Sequence, residues 1–245
     1  SVNQAGGFVR SGPDQGRANL QLYFSPVSYL GTPLSERRLL NPDPFSAVLL
    51  GFNSCRPSSR GSLHIVSPDP ARHPAITPNY LATEHDLAEA RAGIALMRQI
   101  AAAAPLAEVI TKELVPGPHV LGEEALLEDF RQRADTVFQP TSTCMMGPDP
   151  ATSVVDPRLR VHGIAGLRVI DASVFPAITS GNTNAPAIMI AEKCADMLLQ
   201  DAGVKTTLPE GLRAQHRRKT RKTAQSTSKT RHIFLFLRIA TVTRN

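Results

Sequence analysis

"LRVIDASVFPAITSGNTNAPAIMIAEK", residues 167–193, decides how the rest of the chain is read. LRVID (167–171) is rich in β-formers and predicts a strand that stops at an acid followed by small residues. An extended Gly/Asn/Thr segment follows, and then AIMIAEKCADMLLQ (187–200), which reads as a helix. That helix is apolar round most of its circumference, so it is expected to be largely buried. Asn184 falls at or near its N-cap, and Pro186 in its first turn, where a missing N–H costs nothing. The helix start then turns free N–H groups and the positive end of its dipole toward whatever lies before it. Asn182, Thr183 and Asn184 add short polar side chains at the same end. This arrangement suits an anionic group, or a ring that becomes anionic during a reaction; plain helix capping accounts for the same residues.

Just upstream, FQPTSTCMMG (138–147) gathers an amide, a proline, three hydroxyls, a thiol and two thioethers before closing on glycine. It contains no strong acid or base. Cys144 with Met145 and Met146 lacks a second ligand pair nearby in sequence, so the three read as packing residues rather than a soft metal site. Further upstream the periodicity alternates between two and 3.6 residues. NLQLYFSPV (19–27) and FSAVLLGFNS (45–54) read as strands, and CRPSSRGSLHIVSPDP (55–70) as turn, strand, turn. In TEHDLAEARAGIALMRQIAAAA, Leu87, Ala90, Ile94, Met97 and Ala101 share one helical face; Thr83 and Asp86 resemble a capping box, and Pro105 ends the helix. EEALLEDFRQRA (123–134) is a second helix, with Leu126, Leu127 and Phe130 inward. Non-repeating strands and helices of this kind indicate an α+β fold.

The 245 residues are 42% hydrophobic, enough for a sizeable core, and carry 20 Pro and 16 Gly. The net charge of +6 hides two populations. Residues 205–245 hold 11 Lys or Arg against one acid, Glu210, whereas the remainder holds 16 basic against 20 acidic residues. RAQHRRKTRKTAQSTSKTR (213–231) has almost no apolar residue and cannot form a core. It reads as a solvated, disordered extension; without interleaved aromatic residues, specific nucleic-acid binding is not expected. The longest apolar run near the end, IFLFL (233–237), is far short of a membrane span. Cys55, Cys144 and Cys194 form no C-x-x-C pair, and the seven His form no H-E-x-x-H or H-x-x-x-H pattern, so no metal is expected. Sparse free cysteines suit a reducing compartment, and the cytoplasm is the expected location.

Five strings in order, RPSSRG (56–61), HPAITPNYL (73–81), TSTCMMG (141–147), LRVHGIAGLRVIDASVFP (159–176) and SGNTNAPAIMIAEK (180–193), together resemble the C-terminal part of the glucose-methanol-choline (GMC) oxidoreductases, nearest their choline and alcohol dehydrogenases. The resemblance covers roughly residues 5 to 200. It implies FAD as cofactor, a small-molecule alcohol as substrate and hydride transfer from the alcohol carbon to the flavin, with oxygen or a quinone as the open choice of electron acceptor. It also implies an antiparallel sheet backed by helices, the substrate-binding domain (1–137). A return segment of a Rossmann-like FAD domain follows (138–203), and then the basic tail (204–245).

Two departures from the family pattern stand out. No G-x-G-x-x-G that would hold a pyrophosphate occurs; GGFVRSG (6–12) neither follows a strand nor opens a helix. The chain is therefore expected to be the back half of a longer enzyme, inactive by itself. Second, the family loop runs H-P-x-G-T-C-x-M-G, whereas here Gln139 stands for the His and Ser142 for the Gly. The resemblance assigns the position of Gln139 to the base that takes the substrate proton, and glutamine cannot do that near neutrality. Asn182 corresponds to the second catalytic position, able to hydrogen-bond the substrate oxygen. Asp171, Ala172, Asn182, Thr183 and Asn184 are the implied FAD contacts, Asp171 toward the ribityl chain and Ala172 through its backbone. A turn-forming role for Asp171 stays open. His162 is an ordinary surface-turn residue in this reading, and RPSSRG a structural turn. If the chemistry is lost, the alternative is a non-enzymatic remnant of the same fold.

Overall fold

The structure, a computed structural model, describes residues 3–30, 42–204 and, as backbone, 235–243. The basic run 213–231 lies outside the described residues. The chain divides into two compact units, one formed by 1–61, 78–139 and 233–245, the other by 62–77 and 140–232. The expected substrate domain (1–137) shares 1–61 and 78–137 with the first unit, which also takes in 138–139 and 233–245, whereas 62–77 falls in the second.

The first unit is an antiparallel sheet backed by helices. Strands β1 (Ala5–Val9), β2 (Leu20–Ser25) and β3 (Ala47–Ser54) pair in sequence, with Val9 opposite Leu20 and Leu22 opposite Phe52. Alternation sends Leu20, Leu22, Phe24, Leu50 and Phe52 to one face. There they meet Ala90, Ile94 and Met97 of α1 (Glu84–Ala101) and Leu127 and Phe130 of α3 (Glu123–Arg133). These are the inward residues that helical spacing predicts. The Phe52 and Phe130 rings stack with centroids 5.7 Å apart. Mid-helix glycine costs about 1 kcal/mol against alanine, yet Gly93 is required here: a Cβ at that site would lie 2.1 Å from the Phe52 ring.

The start of α1 departs from a capping box. Thr83 Oγ1 does accept from the Asp86 amide at 3.3 Å. The Asp86 carboxylate, however, does not turn back to Thr83. It accepts from the backbone N–H of Ser58 at 2.6 Å and of Ser59 at 2.9 Å, pinning the RPSSRG turn to the helix. Burial opposes ionisation of Asp86, but these hydrogen bonds outweigh it and hold its carboxyl below the usual range. RPSSRG is thus a structural turn. Beside it, Glu89 is buried and accepts from Asn19 Nδ2 at 2.8 Å and from Ser54 Oγ.

Pro105 lies in the first turn of a short α2 (Ala104–Ala107), three residues beyond the end of α1. Two strands follow that periodicity does not reveal, β6 (Ile110–Val115) and β7 (Asp135–Thr136). The sheet order is β1-β2-β3-β8-β6, with β7 also pairing β8, where β8 is Leu235–Thr243. The segment read as one disordered tail from 204 thus carries a strand, Leu235–Thr243, at its end, a stretch rich in apolar and β-branched residues.

The second unit contains a two-stranded ribbon, β4 (Ser62–His64) with β5 (Ala75–Thr77), and helix α4 (Asn184–Asp201). Its buried cluster is smaller: Val155, Leu159, Val174, Phe175 and Cys194. LRVID is not a strand. Arg168 makes an isolated antiparallel bridge to Arg160, flanked by the Val161 amide donating to the Leu167 carbonyl and the Val169 amide to the Leu159 carbonyl, and its side chain goes to Asp201 and the Arg158 carbonyl. Nor is α4 largely buried. Cys194 is its one buried residue, while Ile188 and Met189 are 55% and 54% exposed. One stripe of the helix packs on the cluster, and its remaining apolar residues meet no covering element within the unit.

Candidate active site

The segment 141–147 is fixed by its own amides. Every second N–H, those of Ser142, Cys144 and Met146, donates to the carbonyls of Ala172, Ser173 and Val174 at 3.3, 2.9 and 2.9 Å. The loop is thereby zipped to the short 3-10 turn Ala172–Val174. Met145 and Gly147 then join the next strand-like stretch: the Val154 amide donates to Met145 O and the Gly147 amide to Val155 O, each at 2.9 Å. Polar side chains suit this segment because its backbone bonds, rather than an apolar core, hold it.

Ser142 is fully buried and has φ +72°, in the left-handed region that favours glycine. This gives a physical reason for the glycine of the family pattern at the position that Ser142 occupies. Phe138, with φ +56° and 78% exposed, bends the chain just before Gln139. Gln139 is half-buried and is the last residue of its stretch in the first unit. Asn182 belongs to the second unit.

Within the second unit, Asp171 N-caps the 3-10 turn, its Oδ1 accepting from the Ser173 amide at 2.7 Å. The turn-forming role is thus observed; the residue is also exposed at the surface. The Ala172 carbonyl accepts from the amides of Ser142 and Phe175, which leaves its N–H as the backbone group suited to an outside contact. Ala172, Val174 and Phe175 share one cluster with Ile190 and Cys194 of α4, so the turn and the helix are packed as one piece.

At the start of α4 the N-cap is Thr183, one residue before the expected Asn184. Its conformation is α-helical (φ −85°, ψ −7°), and its side chain makes no capping bond. Thr183 itself thus does not cap the first-turn amides with its side chain. Asn182, Asn184 and Ala185 are exposed there, and Pro186 brings no N–H. The far end of α4 is anchored. Arg158 Nη2 donates to the Met197 carbonyl at 3.2 Å and to Asp201 at 2.6 Å, and Arg168 also reaches Asp201. A cation at the last-turn carbonyls complements the helix dipole and fixes the axis along which its amino end points.

His162 is occupied structurally. Its Nε2 lies 3.1 Å from the Gly147 carbonyl and 3.2 Å from Ser153 Oγ, tying the turn after the loop. Cys144 is half-buried, and among the described residues no three His, Cys, Asp or Glu side chains gather as a metal site. No helix of the described residues is long and apolar enough to cross a membrane. Sequence reasoning missed the left-handed Ser142 and the amide zipper. A polar residue where the family pattern has Gly was the available signal for the first; the second depends on a contact across some thirty residues of chain.

The residues fit FAD in part. The N-terminal turn of a long helix and the exposed Asp171 carboxylate are chemically able to meet polar, anion-forming and hydroxyl groups such as a flavin carries. GGFVRSG (6–12) is no pyrophosphate cradle: it overlaps the antiparallel strand β1 and opens no helix.

The chain is 40% identical over 206 residues to an alcohol dehydrogenase (acceptor) of Pseudomonas putida, covering 82% of this chain and 35% of that protein. It is 39% identical over 218 residues to human mitochondrial choline dehydrogenase, covering 86% and 36%. Among solved structures, formate oxidase from Aspergillus oryzae, studied for modification of its FAD, superposes with TM-score 0.65 at 26% identity, covering 76% of this chain and 32% of that one. The chain thus spans about a third of the length of the relatives it matches. The sequence model of the GMC oxidoreductases matches residues 57–191, more than half of the chain, and the chain belongs to that family.

Proposed function

We propose that this chain is the C-terminal portion of an FAD-dependent oxidoreductase that acts on the CH–OH group of a small alcohol. The observation that supports the reading is the start of α4, a long helix whose N-cap Thr183 makes no side-chain capping bond and whose Ile190 and Cys194 pack in one cluster with the 172–175 turn. Bound FAD supplies the hydride acceptor. The amides of Asn184 and Ala185 hold negative charge at the flavin edge through hydrogen bonding and the helix dipole. Asp171 and the Ala172 N–H hold the ribityl side, and Thr183 lines the approach. Asn182 orients the substrate oxygen. Gln139 orients the hydroxyl by donating or accepting a hydrogen bond, but it does not take the proton.

A second reading, a fold-retaining remnant without catalysis, is favoured by Gln139 itself. One experiment separates the two. The chain is fused behind the N-terminal two thirds of the Pseudomonas putida relative, and alcohol-dependent dye reduction is measured with Gln139 and with Gln139→His. Slow turnover that rises about 10²–10⁴-fold on restoring the imidazole supports the enzyme reading. Flavin uptake without turnover in either form supports the remnant. Absence of flavin absorbance in a folded fusion sinks both site assignments.

A further inference from the structure

The two segments that the flavoenzyme reading gives to the substrate hold almost no titratable group. Residues 138–147 (FQPTSTCMMG) carry one, the Cys144 thiol, and residues 172–187 (ASVFPAITSGNTNAPA) carry none. The ionisable side chains that flank them serve turns. Asp171 Oδ1 accepts from the Ser173 amide at 2.7 Å, and Asp135 Oδ1 from the Thr136 amide at 2.7 Å. His162 Nε2 lies 3.1 Å from the Gly147 carbonyl and 3.2 Å from Ser153 Oγ. Cys144 is half-buried, in a stretch fixed by the bond from its own amide to the Ser173 carbonyl. Neither segment contains an imidazole or a carboxylate to take a hydroxyl proton.

What these segments offer instead is amide chemistry. Gln139 and Asn182, the residues read as contacts of the substrate oxygen, each carry N–H donors beside a carbonyl acceptor. An amide N–H cannot remove a proton from an alcohol. It does stabilise an oxygen that has already lost one, as donors aimed at a developing oxyanion do. The amino end of α4 acts in the same sense, because its dipole favours negative charge nearby.

We propose, resting on the flavoenzyme reading, that the site takes alcohols as their alkoxides and that its substrates carry an electron-withdrawing group beside the carbinol carbon, as α-hydroxycarbonyl compounds do. The O–H bond breaks first, and its proton passes to hydroxide of the solvent to give water. The alkoxide oxygen, held by amide N–H, then forms the C=O bond as the carbinol C–H bond breaks. The hydride leaves with its electron pair to bound FAD, the oxidant. An electron-withdrawing neighbour slows the hydride step but raises the alkoxide population, so it is an advantage where no base is at hand. An imidazole at 139 makes hydroxyl acidity matter little, whereas glutamine makes it decide the substrate.

The test uses the FAD-loaded fusion with the N-terminal two thirds of the Pseudomonas putida relative, with Gln139 and with Gln139→His. Ethanol, 2-fluoroethanol and 2,2-difluoroethanol differ little in size and rise in hydroxyl acidity. The ratio of kcat/KM between the two forms cancels the hydride step that they share. That ratio is expected to fall from about 10²–10⁴ on ethanol to about tenfold or less on difluoroethanol. With Gln139, log kcat/KM on ethanol should climb by about one per pH unit from about pH 6 to about pH 9; Gln139→His should level off above about pH 7. A further readout needs no turnover. Hexafluoro-2-propanol has an acidic hydroxyl and is too electron-poor to give up hydride. Its dissociation constant, read from the flavin absorbance shift, should tighten about tenfold per pH unit between about pH 7 and about pH 9 with Gln139 and stay flat with Gln139→His. A ratio that stays constant across the three alcohols overturns the proposal. So does a plateau in the Gln139 pH profile, which would reveal a base, or binding of hexafluoro-2-propanol to the Gln139 form that is absent or independent of pH. Each of these leaves the flavoenzyme reading standing. If flavin binds without turnover in either form, that reading fails and the binding measurement alone decides whether the site selects an alkoxide. A folded fusion that takes up no flavin overturns both.

Discussion

The two units keep their shape by different means. In the first, regular ladders and a helix layer bury large side chains, Phe52, Phe130, Leu127 and Ile94 among them, in one apolar cluster. In the second, a smaller cluster is supplemented by turn chemistry: the amide zipper from 142–146 to 172–174, the Asp171 cap, the His162 tie and the arginines at the end of α4. The residues that the family resemblance marks for cofactor contact all lie in the second. A frame built from directed hydrogen bonds can hold small polar groups at a surface in fixed orientation, whereas an apolar cluster only excludes water. The first unit supplies stability, and the second supplies geometry.

The largest effect that would break this contrast is in the first unit. Phe130→Ala is expected to cost about 3–5 kcal/mol through lost burial and a cavity against Phe52, read as a fall in the urea midpoint. If the loss is below about 1 kcal/mol, the cluster collapses more freely than a close-packed layer should.

Asp86 gives a smaller, pH-dependent effect. Its carboxyl is depressed in the folded state by the Ser58 and Ser59 hydrogen bonds, against the opposing effect of burial. Its contribution is therefore fully present above the unfolded value of about 3.9 and is lost as pH falls through the lower folded value. Asp86→Asn should lower stability at neutral pH by about 1–3 kcal/mol. It should also flatten the fall in stability below about pH 4, as seen in thermal melts over a pH series. An acid limb as steep as in the wild type would remove Asp86 from this role.

The smallest effect sharpens the account of the second unit. Ser142→Gly relieves a left-handed φ and should stabilise by about 1 kcal/mol, less the hydrogen bond that Ser142 Oγ donates to Thr141. A matched rise in melting temperature is the readout; a fall would mean that the Ser142–Thr141 bond outweighs the backbone strain.

Much of the first unit was legible. The inward faces of α1 and α3 and the strands β2 and β3 follow from period, because one side of each is buried. β1 was not, since glycines carry little strand signal, and β6, read through T-K-E, alternates too weakly. The second unit was legible by motif but not by physics. LRVID has strand composition but pairs only through an isolated bridge to 159–161, and α4 has apolar residues on several faces without a cover for each within its unit. The Thr183 cap was displaced by one residue, the ordinary uncertainty of a helix boundary.

By itself the sequence determined the family, the α+β mix of strands and helices, the lack of a G-x-G-x-x-G string within these 245 residues and a glutamine, not a base, at 139. These depend on local pattern and residue chemistry, which the chain carries wherever it folds. Only the tertiary structure decided that Asp86 serves the RPSSRG turn, that Ser142 sits in a glycine conformation, that α4 starts without a side-chain cap and that the last nine-residue strand enters the sheet. Each of those rests on a partner distant in sequence or on a backbone angle, and neither is written in composition or period.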